Sequence, residues 1–206
     1  MKNIIISIID FIFPPSKEVL VIRALSREDI FAKFPSAPPT LYPFISAIFA
    51  YKNPLVSTFV ANIKYKKDKH SIHLAGFALY STLKSLSISN AILLPIPITK
   101  RRKRERGYNQ CELMIDEIMK LDKQNIFCKN YEILIREKNL ESQTKKNRKE
   151  RLEAKNIFKA IKIERLLDKN IIIIDDVTTT HNTAKEAWQT MKDAGYKNVS
   201  VLTLAH

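Results

Sequence analysis

The sequence predicts an α/β protein with a largely parallel sheet. Two short apolar runs, Ala91-Ile92-Leu93-Leu94 and Ile171-Ile172-Ile173-Ile174, suit strands buried on both faces. From residue 91 onward such runs alternate with stretches whose apolar residues recur at helical spacing. A chain of 206 residues, 45% apolar and 27% charged, is long enough for one ordinary domain and has the balance of a globular protein, which excludes wholesale disorder.

In chain order, MKNIIISIIDFIF is apolar but interrupted by Asp10 and followed by Pro14-Pro15. It is too short to span a bilayer, and no small-residue cleavage site follows it. A short helix docked on the body is expected, with membrane-surface contact as the other option; stable membrane insertion is not expected and the default compartment is cytoplasm. Pro14, Pro15, Pro35, Pro38, Pro39 and Pro43 make residues 1–45 an irregular N-terminal segment with one short strand at Val19–Arg23. Leu55, Phe59, Val60 and Ile63 predict a helix, as do Ile72, Ala75, Leu79, Leu83 and Leu86. Ala91–Leu94 is a strand ending at Pro95, Leu113 to Leu121 a helix, and Tyr131–Ile135 a short strand. After the polar stretch 137–156 come the isoleucine strand, a helix over Ala184–Ala194 closed by Gly195, and a last strand over Val199–Leu204.

With 35 Lys+Arg against 21 Asp+Glu, the formal charge is +14. That suits an anionic partner such as nucleic acid, a phosphorylated metabolite or a membrane surface. A general Lys, Ile and Asn bias is the plainer source of the same charge. The three glycines, Gly76, Gly107 and Gly195, are too scattered for a G-x-G-x-x-G or Walker A loop. Any phosphate is therefore held without a glycine-rich cradle. Cys111 and Cys128 form neither a disulfide framework nor a C-x-x-C pair. His70 and His73 share a helical face, but no third ligand lies nearby, so no zinc site is expected.

The chemistry concentrates in I-I-I-I-D-D-V-T-T-T-H-N-T, residues 171–183. In open α/β sheets, ligands bind beyond the carboxyl ends of strands, where Asp175 and Asp176 stand. Thr178, Thr179, Thr180, His181, Asn182 and Thr183 then lead into a helix whose first N–H groups and dipole favour a phosphate. Carboxylates beside a phosphate cradle suit a sugar phosphate, because they accept hydrogen bonds from vicinal hydroxyls. The simpler alternative is that Asp176 or one Thr caps the helix.

This run resembles the 5-phosphoribosyl 1-pyrophosphate (PRPP) motif of type I phosphoribosyltransferases, D-D-V-x-T-T-G-x-T. The wider chain resembles the ComF-type competence proteins of that fold. Leu93-Leu94-Pro95-Ile96-Pro97-Ile98 matches their strand and pyrophosphate loop. Arg102 to Gln110, R-K-R-E-R-G-Y-N-Q, matches their R-x-R-E-R-G-[FY]-N-Q, and Lys64-Tyr65 matches a K-Y after their first helix. Gln143 and Arg151 match mobile-loop positions, and D-A-G-Y-K-N-V-S-V-L-T-L-A-H matches the last helix and strand. The match runs from about residue 48 to 206. It departs at His181, where the motif has Gly, and at Lys146 in the mobile loop. F-I-F-P-P at 11–15 resembles the lead-in to the family's zinc ribbon, but no cysteines follow.

The resemblance implies a type I phosphoribosyltransferase-like fold over 46–206, behind a segment 1–45 without a zinc ribbon. It implies that Asp175 and Asp176 hold the ribose hydroxyls and that Thr179, Thr180 and Thr183 hold the 5-phosphate. Pro97, Ile98 and Thr99 would shape the pyrophosphate loop, and Lys64, Arg102 and Arg106 would contact phosphate. Mg²⁺ would enter with PRPP, retaining waters. The expected function is binding of PRPP or a related nucleotide or sugar phosphate, linked to DNA uptake. Single-stranded DNA or a DNA-uptake helicase is the further partner. The alternative is active transfer of the phosphoribosyl group to a base with release of pyrophosphate. The charge clusters accordingly: Lys64–Lys69 has four basic residues and one acid, Lys100–Arg106 six and one, and Arg136–Lys155 eight and four.

Overall fold

The computed structural model describes residues 14–136 and 157–206. The expected docking of the first residues and the roles of Gln143, Lys146 and Arg151 lie outside those residues. The elements are helices α1 (Lys17–Ala24) and α2 (Ile30–Lys33), strand β1 (Ile45–Phe49), helices α3 (Pro54–Lys66) and α4 (Lys69–Ser85), and strand β2 (Ala91–Pro95). Helices α5 (Lys100–Arg106) and α6 (Gln110–Leu121) follow, then strands β3 (Phe127–Lys129), β4 (Leu134–Arg136), β5 (Phe158–Ala160) and β6 (Asn170–Val177), helix α7 (Asn182–Asp193) and strand β7 (Asn198–Ala205).

Five strands form one sheet in the order β1-β7-β6-β2-β3, with every pair parallel. Strands β4 and β5 pair antiparallel in a separate ribbon. The α/β class with a largely parallel sheet is therefore as the sequence implies. Strand β6 is central, and Ile171 to Asp176 are buried without a break, so both faces are covered. From β2 the chain passes through α6 to β3 on one side, while from β6 it passes through α7 to β7 on the other. The crevice between the carboxyl ends of β2 and β6 is thus a topological switch point, the usual seat of a ligand in such sheets. Register brings Pro95 beside Ile174, and the Ile96 amide donates to the Ile174 carbonyl at 2.9 Å, which holds the residue-96 turn against β6.

Residues 17–24 correct one expectation. Val19–Arg23 is part of helix α1, not a strand. Val19, Val21 (in sequence K-E-V-L-V-I-R-A) and Ile22 are β-branched, but Ser16 supplies an N-cap, accepting from the Val19 amide at 3.5 Å, and Glu18 stands in the first turn. Nor is the segment irregular throughout, since Ile22, Leu25, Ile30 and Phe34 are buried in the same core as the sheet. The strand expected at Tyr131–Ile135 is shifted to Leu134–Arg136, because Asn130 Oδ1 accepts from the amides of Glu132 and Ile133 and makes a turn there.

Helices α4 and α6 pack closely through Gly76. A Cβ at that position would stand 2.3 Å from the Glu117 Cβ. Beside this contact, Arg27 Nε donates to His73 Nε2 at 2.7 Å, and the other ring nitrogen, Nδ1, lies 2.9 Å from Glu117 Oε2. Arginine can only donate, so the imidazole proton sits on Nδ1 and points at the carboxylate. Lys120 completes the seam at 2.5 Å from Glu117 Oε1. His70 Nε2 lies 3.0 Å from the Leu25 carbonyl, so both histidines tie the N-terminal segment to α4. Among the described residues no cluster of three or more His, Cys, Asp or Glu could hold a metal ion. No helix among them is long and apolar enough to cross a membrane.

Candidate functional site

The carboxyl ends of β2 and β6 open into a cleft of about 130 Å³. Its wall contains Asp175, Asp176 and the whole turn Thr178–Thr183, together with Ile96, Pro97 and Ile98 from the opposite strand end. Lys64 from α3, Arg102 from α5, Gln110 from α6 and Arg136 from β4 complete it. Residues far apart in sequence thus meet where strand ends leave backbone and space uncovered.

Asp175 and Asp176 alternate sides because they are successive residues of a strand, and both are buried. Asp175 Oδ1 accepts from the Asp176 amide at 2.8 Å and faces the Cys111 thiol at 3.9 Å. Burial, then the neighbouring Asp176 charge, pushes Asp175 up to about 8. Asp176 Oδ1 accepts from the Val177 amide at 2.7 Å. Asp176 Oδ2 accepts from Gln110 Nε2 at 2.8 Å and pairs with the Lys64 ammonium at 3.1 Å. Burial opposes the charge on Lys64, but the two carboxylates outweigh it and raise its pKa. Cys111 is fully buried, and burial together with both aspartates holds its thiol well above the ordinary range, so it is no nucleophile.

The turn after β6 is held at both ends. The Thr178 amide donates to the Ala205 carbonyl at 3.0 Å, and the Thr178 carbonyl faces His206 Nδ1 at 2.9 Å. Thr178 is buried, whereas Thr179, Thr180, Asn182 and Thr183 are exposed at the turn and first helical positions. Neither Asp176 nor a threonine caps α7. The N-cap is His181, and its side chain makes no capping bond. The first N–H groups of α7 are therefore left without a side-chain partner at the cleft, as anion binding at a helix start requires.

His181 stands where the motif has Gly, and its φ of +60° lies in the left-handed region that favours glycine. Histidine is among the residues that tolerate this conformation better than most. Its ring is buried, 4.4 Å from the His206 ring centroid and 5.9 Å from that of Tyr42. Burial, then His206, lowers its pKa, and Nε2 has no hydrogen-bond partner. The ring thus props the turn from behind.

Two positions expected to contact phosphate or shape its loop lie elsewhere. Thr99 is absent from the cleft wall and caps α5, accepting from the Arg102 amide at 3.1 Å. Arg106 is also outside the wall; it donates to Gln110 Oε1 at 3.0 Å and lies over the Tyr65 ring at 5.2 Å. Conversely, Gln110 and Arg136 line the cleft although the sequence assigns them no role. Gln110 closes the R-x-R-E-R-G-[FY]-N-Q motif, and that motif is the signal by which it could be found. Arg136 is a single arginine ending a three-residue strand, where no local pattern marks it. Its Nη1 donates to the Pro97 carbonyl at 3.4 Å, its Nε is buried without a partner, and burial followed by Arg102 lowers its pKa.

No family model matches the chain. It is 32% identical over 160 residues to a protein named Competence protein ComFC from Bacillus subtilis (strain 168), a match covering 77% of this chain and 62% of that protein. A protein of the same name from Streptococcus pneumoniae (strain ATCC BAA-255 / R6) is 27% identical over 158 residues, covering 77% of this chain and 66% of its own length. The chain thus spans less than two thirds of the length of each relative. Both relatives carry competence in their names, and together they support the resemblance to ComF-type proteins that the motif residues express.

Proposed function

We propose that this chain binds PRPP, or a closely related sugar phosphate, at the carboxyl end of β6 and serves DNA uptake as a ComF-like protein. The observation that carries the reading is one cleft in which two carboxylates face a side-chain-free helix start across from Lys64, Arg102 and Arg136. Asp175 and Asp176 accept from the ribose hydroxyls, the amides and hydroxyls of 179–183 hold the 5-phosphate, and the three cations neutralise the pyrophosphate. The two aspartates are hard oxygen donors, and among the described residues no third acidic or histidine ligand joins them. That set fits Mg²⁺ shared with ligand oxygens and waters rather than a protein cage. Bound there, Mg²⁺ would supply charge neutralisation on the pyrophosphate.

Transfer of the phosphoribosyl group to a base is the second reading, favoured by carboxylates placed to steady a ribose as pyrophosphate leaves. Single-stranded DNA as a further partner is supported by the face that α5 shares with the end of α3. There Arg106 covers Tyr65, and Lys67 lies 5.1 Å from the Tyr108 centroid, an alternation of cations and aromatic rings suited to stacked bases.

The test is thermal unfolding with Mg-PRPP. At one hundred times its Kd the ligand is expected to add about 2.7 kcal/mol of stability. Asp176→Ala is expected to lose that gain. An unchanged melting temperature of the wild type at millimolar PRPP refutes the reading. Pyrophosphate release with common bases separates a transferase from a binder, and oligonucleotide anisotropy that weakens with salt identifies the DNA partner.

A further inference from the structure

The acceptor sites of Asp176 are nearly all occupied by the protein itself. A carboxylate oxygen offers about two lone-pair positions. Oδ2 already takes Gln110 Nε2 at 2.8 Å and the Lys64 ammonium at 3.1 Å, while Oδ1 takes the Val177 amide at 2.7 Å. A ribose diol or a divalent cation that needs both oxygens finds Oδ2 full.

The two donors on Oδ2 differ in how freely they can leave. Gln110 is fixed from behind, because Arg106 Nη1 donates to its Oε1 at 3.0 Å and so turns its NH₂ toward Asp176. Lys64 stands in the last turn of α3 on a flexible four-carbon stem, and its side chain is 21% exposed at the cleft. It shares that cleft with Arg102 and Arg136, on the side where phosphate charge would arrive.

We propose that Lys64 is a built-in counter-ion, whose ammonium fills the cation position on Asp176 until a diphosphate draws it away. This rests on the reading of the cleft as a PRPP site. A divalent cation arriving alone meets an ammonium on the oxygen it needs. A diphosphate arriving with the cation offers Lys64 a better partner and frees Oδ2 as it binds. Cation and diphosphate therefore enter together, each strengthening the other, and Lys64 is the residue through which they are coupled. Lys64 is thus both a phosphate contact and the gate to the acidic pair.

Mn²⁺ is the probe, its free concentration read by electron paramagnetic resonance with and without PRPP, and the Mn²⁺ that PRPP takes up in the absence of protein is subtracted. Wild type is expected to bind Mn²⁺ weakly alone and tightly with PRPP. Lys64→Met keeps most of the unbranched side chain, one atom shorter, and removes the charge; it is expected to bind Mn²⁺ alone on the order of tenfold more tightly, with a smaller further gain from PRPP. Lys64→Gln serves if the methionine variant does not fold. Equal Mn²⁺ affinity in wild type and both variants without PRPP overturns the counter-ion. So does a wild type that binds PRPP yet holds Mn²⁺ as tightly without it as with it. If PRPP binds nothing and Lys64→Met still gains Mn²⁺, the ligand reading fails and the counter-ion stands. PRPP binding without that gain leaves the ligand reading and removes the counter-ion.

Discussion

Two of the acid–base clusters among the described residues are built to opposite ends. At the end of β6, Asp175 and Asp176 are adjacent, buried and open to a cleft. Between α4 and α6, Glu117 takes His73 on one oxygen and Lys120 on the other, with Arg27 behind the histidine. The acids of the two clusters shift in opposite directions. Burial and Asp176 raise Asp175. Burial also works to raise Glu117, but hydrogen bonds from Lys120 and His73 outweigh it, and its pKa is lowered. Glu117 is therefore in its best state without a ligand, whereas Asp175 gains from any cation that arrives. Titratable residues close together are not enough to mark a site; what distinguishes the cleft is two adjacent acids buried side by side at an open strand end.

The contrast makes opposite predictions for acid and base. The largest effect is expected at Asp175. Its folded pKa lies above the unfolded value, so its contribution to the unliganded protein falls as pH rises from about 4 to about 8. Asp175→Asn keeps the Oδ1 acceptor and removes the titration. Urea midpoints at pH 5, 7 and 9 should show the wild type losing ground to this variant as pH rises. The loss should grow between the unfolded and folded values and reach roughly a few kcal/mol at most. Parallel profiles would place Asp175 with the ordinary carboxylates and break the comparison.

The helix seam is next. Gly76→Ala puts a Cβ against the Glu117 Cβ at 2.3 Å, so α4 and α6 must part. A loss of about 1–3 kcal/mol is expected in chemical denaturation, with PRPP affinity largely kept because Glu117 lies about two helical turns along α6 from Gln110 at the cleft. Loss of ligand binding at unchanged stability would show the two regions to be linked. The smallest effect belongs to Glu117→Gln. A lowered folded pKa gives stability that is present above the unfolded value and lost as pH falls through the folded one. The variant should be weaker by no more than about 1 kcal/mol at pH 7, and the difference should vanish in acid.

Much of the sheet was legible because burial on both faces writes itself as unbroken apolar runs. Ile171–Ile174 could be little else, and the acids after it fell at a strand end where ligands bind. Helix α1 was not legible as a helix, because β-branched residues at 19, 21 and 22 imitate a strand, while the packing of Ile22 and Leu25 into the core shows only in the fold. Helix α5 has no buried residue, so it lacked the apolar period by which helices are read. At the site, the turn 178–183 was legible as a contiguous string. Gln110 belongs to a motif, but its role was hidden because its partner, Asp176, is 66 residues away. Arg106 illustrates the converse: the resemblance implied a phosphate contact, and only the fold shows it engaged in orienting Gln110.

A glycine in a phosphate loop gives the backbone freedom, and that freedom has to be surrendered when a ligand is bound. His181 has a left-handed φ of the kind glycine favours, yet its ring is walled in by Tyr42 and His206. The loss of conformational entropy at this turn thus falls on folding rather than on recognition. On the proposed reading, a phosphate would meet donors already in position, and the turn would behave as a preset mould where a glycine would have left a hinge.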